Sequence, residues 1–270
     1  MAQTYSILVN SCDSYEDCWH PFFSLFAKYW PNYEGQIVLN TERKNWSFSG
    51  LKIKCARVQP DASERKLSWS ECLLRALDHI DTSLVLYLQD DYFLERPVNS
   101  TLINDFAELM VRDNSIKHTG LTHFGSHGPL EQTPDERLWK IGERSAYRVS
   151  AQAALWRVET LRSYLRPEEN AWMFEIFGTR RARHRAETFL TVNRELYHPK
   201  STPIIQYMHT GIIKGKWNPK IPALFELHEI KVDFEKRGFF KPEPKAIGKL
   251  RTLTKLISNP AALWRGLRGA

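Results

Sequence analysis

The sequence predicts an α/β fold, a mainly parallel central sheet flanked by helices. Three observations carry this. Apolar runs of strand length, such as Tyr-Ser-Ile-Leu-Val-Asn at residues 5–10 and Leu-Val-Leu-Tyr-Leu at 84–88, lack the alternation of half-exposed strands and read as buried on both faces. Between them lie segments with apolar residues at helical spacing. The first 95 residues therefore alternate strand, helix, strand, strand, helix, strand, the order expected of parallel strands with covering helices.

Taken in order, residues 5–10 form the first strand and end in the polar turn Ser11-Cys12-Asp13-Ser14. Residues 16–30 place Trp19, Phe22, Phe23, Phe26 and Trp30 near helical spacing, with Pro31 as a stop. Residues 36–40 are a second strand and 51–58 a third. Ser68 caps the next helix, and Glu71 completes a capping box. That helix sets Trp69, Leu73, Leu77 and Ile80 along one face, and the strand over 84–94 follows directly. Residues 101–112 form an amphipathic helix. Residues 115–138, rich in Gly, His, Thr and Pro, are expected to be an irregular excursion over the site. Residues 147–156 return to strand character, 157–165 form a helix stopped before Pro167, and a further helix starts near Asn170.

The chain has 270 residues, 42% of them hydrophobic, enough for one large domain. The expected organisation is a domain over 1–240, with a nucleotide-binding half at about 1–95 and an acceptor half at about 96–240, followed by a tail at 241–270. No run reaches the ~18–20 apolar residues of a membrane span, and no secretory signal is visible at the N-terminus. Four cysteines without a C-x-x-C pair read as free thiols of a cytoplasmic protein. The net charge of +7 is concentrated in the tail: residues 241–270 carry +6 of it. A body near neutrality argues against nucleic-acid binding.

Five stretches carry chemistry. Asp90 and Asp91 end a core strand, where α/β sheets collect ligands, and paired carboxylates suit Mn²⁺ or Mg²⁺ shared with a diphosphate. The alternative is a solvated turn. His209-Thr-Gly-Ile-Ile-Lys214-Gly-Lys216-Trp offers an imidazole for a metal and two lysines for phosphates; its alternative is a surface loop. Glu175, behind Trp172, Met173 and Phe174, is either a desolvated general base or a helix-start acid facing the macrodipole. Residues 179–185 hold Arg180, Arg181, Arg183 and Arg185, a solvated basic face or a guanidinium clamp on an anion. In the tail, Ile247, Leu250, Leu253, Leu256 and Ile257 recur at helical spacing among basic residues, with Trp264 in a second short helix. Such a basic amphipathic tail over 245–268 suits an anionic membrane surface, or else a protein partner.

In this order, a strand ending in Asn10-Ser11-Cys12-Asp13, a strand ending in Gln89-Asp90-Asp91, then Trp-Met-Phe-Glu175 and a late His-Lys loop, the chain resembles nucleotide-sugar-dependent glycosyltransferases of the GT-A fold, a Rossmann-related class. It looks most like the bacterial enzymes of lipopolysaccharide or capsule synthesis. The resemblance spans about residues 4–217. It implies a UDP-sugar donor, a glycan or lipid-linked acceptor, and Mn²⁺ or Mg²⁺ held by Asp91, which stands where the family's Asp-x-Asp motif ends. It further implies Asn10, Ser11 and Asp13 on base and ribose, and Asp90 on ribose or sugar. His209 would be a further metal ligand, Lys214 and Lys216 phosphate contacts, and Glu175 the acceptor base. Gln89 replaces the first acid of the motif. The His-Lys loop is similar to that of retaining members and Glu175 to the base of inverting ones, which leaves the stereochemistry open. The expected location is cytoplasmic, peripheral on the inner face of the membrane. Rival readings are a nucleotidyltransferase, against which the glycine-free turn at 10–14 counts, a non-catalytic membrane scaffold, and a hydrolase using Asp91 with Glu175.

Overall fold

The computed structural model describes residues 4–61 and 65–242; the predicted tail over 245–268 lies outside them. In chain order the elements are β1 (Tyr5–Asn10), α1 (Glu16–Tyr29), β2 (Ile37–Leu39), β3 (Ile53–Cys55), α2 (Trp69–Leu77), β4 (Leu84–Gln89) and α3 (Ser100–Arg112). There follow β5 (Ile116–Gly120), β6 (Leu130–Gln132), β7 (Leu138–Ile141), β8 (Ala154–Arg157), α4 (Val158–Tyr164) and α5 (Ala171–Ala182). Last come β9 (Thr188–Val192), the hairpin β10 (Ile212–Ile213) and β11 (Lys216–Trp217), and α6 (Ile221–Leu227). Nine strands make one mixed, mostly parallel sheet in the order β3-β2-β1-β4-β8-β5-β9-β7-β6. β1 to β4 run parallel, and β8 enters antiparallel between β4 and β5.

Helices cover both faces, which is why the central strands are apolar throughout. Along β4, Leu84, Leu86 and Leu88 pack with α1 and α3, while Val85 and Tyr87 pack with α2, α4 and α5. Trp19, Phe22, Phe23 and Phe26 are the buried stripe of α1; each such side chain contributes about 1.5–3 kcal/mol on leaving water. The capping box of α2 is complete: Glu71 N–H donates to Ser68 Oγ (3.1 Å), and Ser68 N–H to Glu71 Oε2 (2.9 Å). All four cysteines are free thiols, and no helix among the described residues is long and apolar enough to cross a membrane.

Two expectations are corrected. Residues 115–138 open with a core strand, β5, rather than an excursion. Its sequence Ile-Lys-His-Thr-Gly hides this, because His118 reads as polar. In the sheet it is buried between Trp156 and Phe189, and burial holds its pKa down at about 3, so it packs as a neutral ring. Residues 147–156 are strand only from Ala154. The stretch before it is drawn off the sheet by α5, since Val149 N–H donates to Thr179 Oγ1 (3.1 Å) and Ala151 N–H to Glu175 Oε1 (2.9 Å).

Candidate functional site

Asn10 and Gln89 are paired in register, so β1 and β4 release their following residues side by side at one edge of the sheet. There Ser11 Oγ donates to Asp90 Oδ2, and Trp19 Nε1 holds Ser11 Oγ at 2.7 Å. Asp90 N–H donates to Asn10 O (3.2 Å), and Asn40 Nδ2 to Asn10 Oδ1 (2.8 Å). Asp13 lies one step further out and joins the ends of β1 and β2. Its Oδ1 accepts from Glu42 N–H (3.0 Å) and its Oδ2 from Arg43 N–H (3.0 Å). Asn10, Ser11 and Asp13 thus all bound the turn next to the acid pair, with the Asp13 carboxylate already engaged by backbone.

The solvated-turn reading of the acids is corrected: Asp90 is 4% and Asp91 6% exposed. Burial, then the charge of Asp91, pushes the Asp90 carboxyl well above the usual range, against the Ser11 hydroxyl and Arg237. Burial also raises Asp91, opposed by the Thr210 hydroxyl, the Ile212 N–H and His209. The hairpin segment supplies these contacts. Thr210 Oγ1 and Ile212 N–H both donate to Asp91 Oδ2, and Gly211 N–H donates to Asp91 O (2.9 Å). Oδ1 of each acid accepts no hydrogen bond from another described residue and is not among the buried orphan atoms. Neither acid has an ion-pair partner among the described residues. Two buried carboxyls whose Oδ1 atoms are uncommitted fit a hard divalent cation, which would favour their ionised forms and share its shell with a phosphate. No group of three His, Cys, Asp or Glu converges into a closed metal cage among the described residues.

His209 is exposed, and its ring stacks on Phe124 with centroids 4.3 Å apart. Lys214 and Lys216 are exposed on the hairpin turn, with Lys214 Nζ 5.8 Å from the Phe240 ring centre. The clamp around Asp91 leaves no room for change. A Cβ on Gly211 would stand 2.6 Å from Cδ2 of the fully buried Phe93 and 2.8 Å from the backbone Asp91 O. We expect Gly211→Ala to cost about 1–3 kcal/mol of stability, read as a lower thermal midpoint. Thr210→Val keeps the volume but removes the donor to Asp91. On a metal role for Asp91, the variant is expected to bind Mn²⁺, read by the spin resonance of free Mn²⁺, about 10–100-fold more weakly, with Thr210→Ser restoring it.

Glu175 is the fifth residue of α5, whose N-cap is Asn170 (Met173 N–H to Oδ1, 3.0 Å). It therefore lies beyond the first turn, and the macrodipole reading is corrected. Its Oε1 accepts from Ala151 N–H (2.9 Å) and Ser150 Oγ (3.3 Å), while Oε2 accepts from no described residue. Burial raises its pKa above the ordinary value, and those two donors pull it partly back. The other end of the Ala151 residue faces β4: Tyr92 Oη donates to Ala151 O (2.8 Å), and Gln89 Nε2 donates to Tyr92 Oη (3.0 Å). One residue thus joins the acid-bearing strand end to Glu175.

For residues 179–185 the solvated-face reading holds at the exposed Arg183 and is corrected at Arg181. Arg181 is 4% exposed and makes a bidentate pair with Glu169 (2.6 and 2.6 Å). Arg185 lies over Tyr164 (4.3 Å) and Arg180 over Phe177 (5.8 Å). These guanidiniums tie α5 to α4 and to its own surface. Sequence reasoning missed Thr210, which sat among more conspicuous residues, and Arg237, which belongs to no motif. Arg237 pairs with Asp17 (2.6 and 2.5 Å) and Ser14 O (2.6 Å), closing the C-terminal segment onto the turn after β1.

No family model and no curated protein matches the sequence. Among solved structures, the chain is similar to S. aureus TarS 1–349, at 14% identity over 70% of this chain and 58% of that one, with a TM-score of 0.48. It is also similar to a mycobacterial protein at 11% identity over 84% and 72% of the two chains, TM-score 0.45. A third similar structure is glucosyl-3-phosphoglycerate synthase from Mycobacterium tuberculosis in complex with Mn²⁺, UDP and glucosyl-3-phosphoglycerate, at 13% identity over 44% and 43%, TM-score 0.32. This chain spans only part of each. At these scores the likenesses do not bear on the chemistry of the site, which rests on the geometry above.

Proposed function

We propose that this chain is a GT-A-type glycosyltransferase that moves a sugar from a nucleoside-diphosphate donor, a UDP-sugar, to a hydroxyl of a glycan or lipid-linked acceptor. The observation that carries the reading is the buried, unpaired Asp90–Asp91 couple, linked through Tyr92 and Ala151 to a desolvated Glu175. Asp91 Oδ1, with Asp90, would hold Mn²⁺ or Mg²⁺. Bound there, the cation supplies Lewis-acid charge to the leaving diphosphate. Asn10, Ser11 and Asp13 would line the base and ribose side, His209 ahead of the hairpin would be a further metal ligand, and Lys214 and Lys216 on the hairpin would contact the phosphates. Glu175 Oε2 takes the acceptor hydroxyl proton as the acceptor oxygen bonds to the anomeric carbon. The bond from that carbon to the diphosphate oxygen breaks, and its electron pair leaves with the diphosphate.

The same reading divides residues 1–240 into a donor half and an acceptor half. It places the enzyme on the inner face of a bacterial membrane, held there by residues 245–268, for surface-polysaccharide synthesis. The support is the charge concentrated in the tail. The test is a thermal-shift panel of nucleotides and sugar nucleotides with and without Mn²⁺. UDP or a UDP-sugar should stabilise the protein with metal and not after chelation, by mass action. Absence of any nucleotide-dependent shift in the presence of Mn²⁺ overturns the reading.

A further inference from the structure

The cross-sheet register extends the site sideways. Tyr87 of β4 pairs with Ala154, Ala154 with Gly120, Gly120 with Thr191, and Thr191 with Trp139 of β7. Paired residues share a face, so these five form one row on the side where α5 carries Glu175. A small cavity of about 10 Å³, room for about one water, occupies the middle of the row, lined by Gly120, Ala154 and Thr191 and by Ser150, the Glu175 partner. Beyond it, a separate cleft of about 170 Å³ opens at Trp139. Both lie at the edge where β4, β5 and β9 end, the edge of the acid pair. Four strand spacings separate β4 from β7, about 19 Å at ~4.8 Å each.

The lining of the outer cleft is specific. Trp139 is half-buried, and its Nε1 donates to no described residue. Gln132, its cross-strand partner, and Glu136 and Glu195 bring one amide and two carboxylates, none of which is hydrogen-bonded or ion-paired to a described residue. Asn193 is different: its amide is spent on Glu136 O and on the N–H of Glu195. A flat indole rimmed by acceptor carboxylates and an amide matches a pyranose ring, which offers a C–H face for stacking and hydroxyls at its rim. The two acids repel an anionic glycan.

We infer that the Trp139 cleft is a distal subsite for a neutral pyranose of an oligosaccharide acceptor whose reacting end lies at Glu175. This rests on the glycosyltransferase reading and adds to it the acceptor class: an oligosaccharide, uncharged at its distal part.

The test is calorimetric titration of the full chain with neutral di- and hexasaccharides of the glucose and N-acetylglucosamine series, and with an oligogalacturonate. A neutral hexasaccharide should bind at least about tenfold more tightly than its disaccharide, a gain of about 1.4 kcal/mol. Trp139→Ala should erase that gain and Trp139→Tyr keep most of it, while the Mn²⁺–UDP thermal shift is unchanged in both. Equal binding by wild type and Trp139→Ala, no hexasaccharide binding, or preference for the oligogalacturonate overturns the inference. Loss of the Mn²⁺–UDP shift in the wild type would instead overturn the donor reading, with hexasaccharide binding at Trp139 still measurable.

Discussion

On the glycosyltransferase reading, Asp91→Asn should leave the fold intact, abolish Mn²⁺-dependent stabilisation by UDP, and lower sugar transfer by at least about a thousandfold. Asparagine keeps an oxygen for Thr210 Oγ1 and the Ile212 N–H, so the hairpin clamp retains its acceptor. What disappears is the negative charge. Losing the charge that holds the cation against the leaving diphosphate removes several kcal/mol of transition-state stabilisation, and about 4 kcal/mol corresponds to three decades of rate. The apo variant should also be no less stable than the wild type. A buried carboxylate without an ion-pair partner costs folding free energy, and the amide does not carry that cost. Initial rates with a radiolabelled donor, together with thermal midpoints with and without Mn²⁺, decide the matter. Undiminished transfer by this variant in the presence of chelator would remove the metal–diphosphate role of the pair.

Glu175→Gln separates chemistry from donor binding. Its amide oxygen still accepts from Ala151 N–H and Ser150 Oγ, so the connection to Tyr92 and β4 persists, and the UDP–Mn²⁺ shift should stay at its wild-type value. The rate constant for transfer should fall by about 10²–10⁴-fold, the usual worth of a positioned general base. The pH profile gives a second readout. A base works in its ionised form, so activity is lost as pH falls through its pKa. Burial raises that pKa, which puts the midpoint of the acid limb above the ordinary carboxylate value of 4.5. The limb should vanish in the glutamine variant. A rate constant unchanged by the substitution would leave Glu175 a positioning residue of the 149–151 segment.

The site was legible where local pattern carries the information. Leu84 to Leu88 is apolar without alternation because helices cover β4 on both faces, and such a strand in a sheet delivers its next residues to the ligand edge. The raised pKa of Glu175 was one of two readings the sequence left open, the other being a helix-start acid, and burial beside Ser150 and Ala151 is what raises it. Pattern failed where a residue's environment contradicts its type. His118 looks polar and is a buried neutral ring, so β5 was read as loop. The arginines of residues 180–185 look like a charged surface, yet Arg181 is spent on the buried Glu169.

By itself the sequence determined the layers, the caps, and the placing of two adjacent acids at the end of a core strand; these follow from spacing within a few residues. Only the tertiary structure decided what those acids meet. Thr210 reaches Asp91 across 119 positions, and Arg237 reaches Asp17 across 220. The row from Tyr87 to Trp139 exists only because five strands adopt one register. Contacts of that kind depend on strand order and loop closure, which have no local period to read. The stretch from Leu84 to Asp91 pointed to two acids at the ligand edge of the sheet, and the hairpin, the Ala151 residue and α5 gave that pair its particular surroundings.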